Sequence, residues 1–455
     1  VVALFFAAAL HLKPCTIAGA KARCGTFDVR ESPRSNRTLA LKVIVLPATE
    51  HNDSPVFAFN GGPGEPTTPF AEEAVKSFGA ERRRHDLVLT DERGTPGSAP
   101  LACPKAVAAH AEQLIGGDLF PPAFVADCRR EIEVEQHADL TAYTFPYFVD
   151  DIEALRRALG YDKINIIGLS YGTRAALTFL QRHPGSARSL LLLGPLPPDN
   201  PAPLNFARDA QTAFDKLAAV CAADATCRSV TPDVKADLAR ALAALEAKPA
   251  ELDAGGYHLR ITRGGFAEFL RSSMYRAEQQ ARLPLIIHRA ALGDWKSLAP
   301  LWIRYRKFWY DNVGVFLAVT CASDVRRIDP AAIPAATAGT FVGDYRVRRQ
   351  IAACQLWAPG VEPRVEVPRD SGVPILVVTG DRDPVTPKRW ADALAHDVGR
   401  VRTVVQANTG HEGTECELKM ETAFFDAGSF DKLDQSCAAT IKNPPFATKF
   451  PKAVR

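Results

Sequence analysis

The sequence predicts an α/β protein built on a mostly parallel, doubly wound sheet with a helical cap inserted into it. Two observations carry this expectation. From Thr38 onward, short apolar runs alternate with longer amphipathic ones: TLALKVIVL, PVFAFN, DLVLTD, KINIIGLS, SLLLLG, PILVVTG and VRTVVQ. Runs of this length that end in Gly, Asp or Asn suit buried parallel strands. The rhythm then breaks after Pro195, and a long, mostly helical stretch follows before strand-like sequence resumes at Pro374.

Each part has its local reason. FPYFVDDIEALRRALG sets Phe148, Ile152, Leu155 and Leu159 at helical spacing, with Asp150, Asp151 and Glu153 early in the run, where acids favour a helix N-terminus. Within the inserted stretch, helix formers and apolar spacing predict helices near 206–220, 234–247, 265–274, 281–292 and 295–307. An insertion between two parts of one parallel sheet reads as a cap over the sheet's carboxyl edge, where open α/β folds hold their ligands. The expected division is 1–10 as a signal-peptide remnant, 11–197 as the first part of the core, 198–365 as the cap, and 366–455 as the rest of the core.

Composition narrows the function classes. The chain has 455 residues, more than one hydrophobic core usually serves, and 47% hydrophobic with 24% charged residues is ordinary globular usage. A formal net charge of +3 with no long Lys/Arg run argues against nucleic acid as a partner. The ten cysteines are even in number and lack CxxC or zinc-ligand spacing. Pairing neighbours along the chain gives Cys15–Cys24, Cys103–Cys128, Cys221–Cys227, Cys321–Cys354 and Cys416–Cys437. Disulfides imply an oxidising compartment, secreted or periplasmic; buried free thiols in a cytosolic enzyme are the alternative. VVALFFAAAL at the start reads as the tail of a signal-peptide apolar region, with Ala7 and Ala9 at an A-x-A-like cleavage position. Ten residues are too few to cross a bilayer, so no stable membrane span is expected.

The chemistry centres on Gly168-Leu169-Ser170-Tyr171-Gly172, which follows a predicted strand and opens a predicted helix. In that setting G-x-S-x-G lifts the serine above the sheet on a sharp turn, the nucleophile arrangement of the α/β-hydrolase fold. A serine needs a base and a group that orients it, and in this fold the chain order is Ser, acid, His. PILVVTGDRDPVTP offers Asp381 and Asp383 just past a strand, and VRTVVQANTGHEG puts His411 in a Gly-flanked loop after the next. Asp383 is the favoured acid, although both lie in one short loop. Acyl transfer also needs oxyanion donors, and FNGGPG supplies a side-chain-poor turn after a strand. Gly62 and Tyr171 are the candidate donors.

NGGPG, DERGTPGS at 91–98, GLSYGT, GDRDPVTP and GH occur in this order. Together they resemble the tripeptidyl-aminopeptidase-like branch of the proline iminopeptidase group of α/β hydrolases. The resemblance runs from about 15 to 437 and extends to GDW at 293–295 and AVTCASD at 318–324. It implies an extracytoplasmic serine hydrolase that removes residues from peptide N-termini with Ser170, Asp383 and His411, without metal or organic cofactor. The sequence departs from the family's pattern at Asn60, where the iminopeptidases usually have His, at Glu65 after the GGPG, and at Leu193, where relatives often carry an acid.

An aminopeptidase must pair the substrate ammonium, which is costly to bury alone, so acids near the cleft are expected. Glu65, Glu278 and Asp324 are the candidates. Tyr275, Trp295, Trp302, Phe308 and Trp309 are aromatics that could line an apolar pocket. The expected partner is a peptide or small ester, with carboxylic-ester hydrolysis by the same triad as the second reading.

Overall fold

A computed structural model of the chain describes residues 9–50, 54–198, 200–308, 310, 312–357, 360–369 and 371–450. The expected cleavage position at Ala7 lies outside the described residues, as do Trp309 and the side chain of Phe308. Ala9 and Leu10 open a strand: β1 (Ala9–Ile17) pairs antiparallel with β2 (Ala20–Arg30). The two-residue turn between them has positive φ at both Ala18 (43°) and Gly19 (82°), as a tight hairpin requires.

All seven apolar runs form strands. They are β3 (Thr38–Leu46), β4 (Val56–Phe59), β5 (Leu87–Thr90), β6 (Ile164–Leu169), β7 (Ala187–Leu193) and, after the insertion, β10 (Ile375–Gly380) and β11 (Val401–Gln406). With the N-terminal hairpin they make one nine-stranded sheet in the order β1-β2-β3-β5-β4-β6-β7-β10-β11. The strands from β5 to β11 in that order pair in parallel. TLALKVIVL departs from the parallel expectation, since β3 runs antiparallel to both β2 and β5. Its first half alternates exposed and buried residues, from exposed Thr38 to buried Leu39 and on to exposed Lys42, the pattern of a strand with one solvated face.

The helices follow the amphipathic runs. On the sheet lie α1 (Phe145–Leu159) and α2 (Tyr171–Arg182). The insertion holds α3 (Phe206–Ala223), α4 (Val234–Ala247), α5 (Arg263–Ser272), α6 (Leu283–Ala291), α7 (Trp295–Phe308), α8 (Val313–Ala322) and α9 (Tyr345–Trp357). It also contains a hairpin absent from the helical expectation, β8 (Ala250–Ala254) with β9 (Tyr257–Ile261), turning at Gly255-Gly256. The insertion does not share one apolar interior. α3 to α7 gather around Phe214, Leu242, Phe269, Ile286 and Trp302. Val315, Leu317 and Val319 of α8 and Trp357 of α9 instead join the sheet's own core with Phe124 and Ile132. Trp302 is buried with its indole N–H on Ile115 O at 2.9 Å, and Trp295 packs edge-on against Phe266. Trp302 is therefore a core aromatic, and the half-buried Trp295 packs against the same core.

All ten cysteines pair with their neighbours along the chain: Cys15–Cys24, Cys103–Cys128, Cys221–Cys227, Cys321–Cys354 and Cys416–Cys437. Five disulfides point to an extracellular or envelope protein. Among the described residues, no helix is long and apolar enough to cross a membrane. Cys321–Cys354 ties α8 to α9 across a separation of 33 residues. Replacing both cysteines with alanine is expected to lower stability by about 3–4 kcal/mol through the freed loop. Denaturant midpoints of the two proteins under oxidising conditions measure that difference.

Candidate active site

The carboxyl ends of β4, β6, β7, β10 and β11 bring the candidate residues together. Ser170 sits between β6 and α2 at φ 55°, ψ −119°, a conformation that costs a non-glycine residue of order 1–3 kcal/mol. Neighbouring glycines make the turn possible by close approach. A Cβ on Gly172 would lie 2.3 Å from Phe59 O and 2.5 Å from Asn60 O, so α2 can start flush against the end of β4 only without a side chain there. Ser170 N–H donates to Leu193 O at 2.8 Å, fixing the turn to β7.

The NGGPG loop folds over the serine. A Cβ built on Gly61 would stand 2.9 Å from Ser170 Cβ and 3.5 Å from its Oγ. Asn60 closes the loop with its own amide, accepting from Gly61 N–H at 2.8 Å and donating to Pro66 O at 3.1 Å. Gly62 follows at φ 107°. Tyr171 is the first residue of α2, where the helix offers its N–H no partner. DERGTPGS supports this loop from below. Asp91 accepts from Thr67 N–H, Thr68 N–H and Thr68 Oγ1 at 2.6–2.8 Å. Glu92 accepts from Gly64 N–H, and Arg93 forks onto Asp151 at 2.7 and 2.8 Å.

His411 and Asp383 meet in the loops after β11 and β10. His411 Nδ1 lies 2.7 Å from Asp383 Oδ2, with side-chain exposures of 5% and 1%. Asp383 also accepts from Val385 N–H, Thr386 N–H and Thr386 Oγ1 at 2.7–2.8 Å. Burial alone would raise its pKa, but His411 and the two backbone N–H groups outweigh burial and hold the carboxyl below its ordinary range. Asp381 makes no such bond: its Oδ1 is buried without a partner among the described residues, and its carbonyl accepts from Lys216. His411 Nε2 is likewise buried and unpartnered among the described residues, so the hydrogen bond to Ser170 Oγ is not formed here. Such bonds often tighten only around substrate.

Three contacts at this site were not singled out by sequence reasoning. Gly194, at the end of β7, has no room for a side chain: a Cβ there would meet His411 Cε1 at 2.6 Å, Thr386 Oγ1 at 2.7 Å and His411 Nδ1 at 2.8 Å. Tyr275 of the cap, expected only as a pocket aromatic, accepts His411 N–H at 2.6 Å through its carbonyl and sets its ring edge-on to the imidazole. Arg174 of α2 forks between Asp324 and the carbonyls of Pro197 and Asn200. GTR and AVTCASD thus carried the last pair, though nothing local joined them.

The candidate ammonium ligands part ways. Asp324 is 0% exposed, and its two oxygens take the Tyr171 hydroxyl and Arg174; it braces the oxyanion turn and faces no cleft. Glu278 is exposed on the cap. Glu65 lies at the rim of the Gly62 loop, where burial raises its pKa against the pull of His411 and Arg276.

Residues 55–415 match the family described as alpha/beta hydrolase fold, and the chain belongs to that family. It is similar to serine protease Hip1 of Mycobacterium tuberculosis (strain ATCC 25618 / H37Rv), 25% identical over 448 residues that cover 88% of this chain and 83% of the relative. It is also similar to putative hydrolase YuaR of Escherichia coli (strain K12), 28% identical over 196 residues that cover 41% of this chain and 38% of that protein. Among solved structures, proline iminopeptidase of Mycobacterium smegmatis aligns with a TM-score of 0.45 and 16% identity over 89% of this chain and 98% of that one.

The buried carboxyls beneath the site carry a pH signature. Burial pushes Glu92 up to about 8 and Glu362 up to about 7. Above the unfolded carboxyl pKa, the unfolded chain loses these protons while the folded chain keeps them, so stability falls as pH rises through this window. Glu92→Gln removes one such proton and keeps an acceptor for Gly64 N–H. Between pH 5 and pH 7 the variant is expected to lose less stability than the wild type, by on the order of 2–3 kcal/mol. Denaturant midpoints measured across that range test it, and parallel pH curves would count against a protonated Glu92.

Proposed function

We propose that the chain is a secreted or periplasmic serine exopeptidase that releases short peptides or single residues from peptide N-termini. Ser170 is the nucleophile, His411 the general base and then acid, and Asp383 the group that orients the base. The observation that carries this reading is the 2.7 Å bond between buried Asp383 and His411 Nδ1, formed beside a serine held at φ 55°. With Nδ1 committed to Asp383, the second ring nitrogen is left to take the serine proton. Ser170 Oγ attacks the scissile carbonyl, and the Gly62 and Tyr171 N–H groups receive the oxyanion. The leaving amine takes the proton from His411, and water then releases the acyl group by the same steps in reverse. No metal or organic cofactor enters these steps. The peptidase half of the reading is supported by similarity to a relative named as a serine protease.

Turnover of peptides with free N-termini, N-acetylated peptides and simple esters tests the substrate class. Free peptides are expected to be preferred, and cleavage of esters alone would sink the peptidase reading in favour of a carboxylesterase. Ser170→Ala is expected to abolish turnover of every substrate. Asp383→Asn should lower kcat by about 10⁴ through the wrong imidazole tautomer, while Asp381→Asn stays close to wild type. Gly194→Ala, which forces a methyl group against the imidazole, should lower kcat by about 10² with the fold retained. Circular dichroism alongside the kinetics separates a displaced base from an unfolded protein.

A further inference from the structure

Three acids on the cap and in the His411 loop are already committed or turned outward. Glu412 accepts from Ala277 N–H at 2.7 Å and Gly410 N–H at 3.3 Å. Asp324 is taken by Arg174 and Tyr171, and Glu278 is exposed on the cap. Glu65 differs. Its backbone N–H donates to Gly61 O at 3.1 Å, which folds the residue back over the loop. Its Cγ lies 3.2 Å from the point where a Cβ on Gly62 would stand. Among the described residues, no group donates a hydrogen bond to its half-buried carboxylate. The imidazole of His411 and the exposed guanidinium of Arg276 on the cap face it.

We propose that Glu65 binds the free α-ammonium of the substrate, and that its place on the Gly62 loop restricts the enzyme to removing one residue per cut. The inference rests on the exopeptidase reading above and narrows it. In single-residue release, the ammonium nitrogen and the scissile carbonyl belong to the same residue and are separated by one Cα. The anchoring acid must then stand beside the oxyanion donors, which is where Glu65 stands. In tripeptide release, two further residues intervene at about 3.3–3.6 Å each, so the anchor would lie roughly 7 Å deeper, away from this loop. A carboxylate that is partly desolvated and without a donor is also the group that gains most when a cation pairs with it.

The test is a time course of an unmodified pentapeptide, followed by mass spectrometry, with wild type, Glu65→Gln and Glu65→Asp. The expected first products are one free amino acid and the tetrapeptide, followed by further single-residue losses. Glu65→Gln should lower the preference for free over N-acetylated substrates about tenfold or more through KM, and Glu65→Asp should restore part of it. A di- or tripeptide as the first product overturns the inference and leaves the exopeptidase reading standing. Equal slowing of free and acetylated substrates in Glu65→Gln makes Glu65 a brace for the loop and also overturns it. Turnover of esters with no peptide cleaved removes the underlying reading itself.

Discussion

Burial of the Asp383 carboxylate is the constraint from which the arrangement of the site follows. A charge taken almost wholly out of water must find every partner inside the protein. Asp383 finds four, from Val385, Thr386 twice and His411. Three of these come from its own loop and set the path of the chain after β10. The fourth fixes the loop after β11, because the imidazole must arrive with Nδ1 facing the acid. Gly194 completes the fit, since the space beside the imidazole and Thr386 admits no side chain.

A second polar layer lies under the oxyanion loop and obeys the same rule differently. Arg174 and Asp324 are both fully buried and pair with each other, and the Tyr171 hydroxyl takes the second oxygen of Asp324. Glu92 and Glu362 have no cation within bonding reach among the described residues, and burial instead pushes their pKa up to about 8 and about 7. A neutral Glu92 can still accept from Gly64 N–H while avoiding the cost of a lone buried charge.

Much of this was legible in the sequence wherever a local pattern sets local structure. Seven apolar runs became seven strands, and the residues of the nucleophile turn, the acid and the base stood in the order the fold dictates. Misreadings came where one composition fits two structures. TLALKVIVL ends in an unbroken apolar run that resembles a parallel strand, although its first half alternates. The hairpin at 250–261 was hidden inside a helical stretch, although Gly255-Gly256 between Leu252 and Leu259 was a turn signal in plain view. Gly194, Tyr275 and the Arg174–Asp324 pair were beyond sequence reasoning for a different reason. Their roles depend on contacts between segments far apart along the chain, which no spacing encodes.

The cap bears directly on the loops of the acid and the base. His411 N–H is bonded to Tyr275 O, Ala277 N–H to Glu412, and Gln280 Nε2 to Arg382 O at 3.2 Å. Lifting this part of the cap would break three hydrogen bonds to the loops that carry the acid and the base. Glu65 of the Gly62 loop faces His411 and Arg276 of this same cap segment, so the segment that holds the base also borders the carboxylate proposed to anchor substrate.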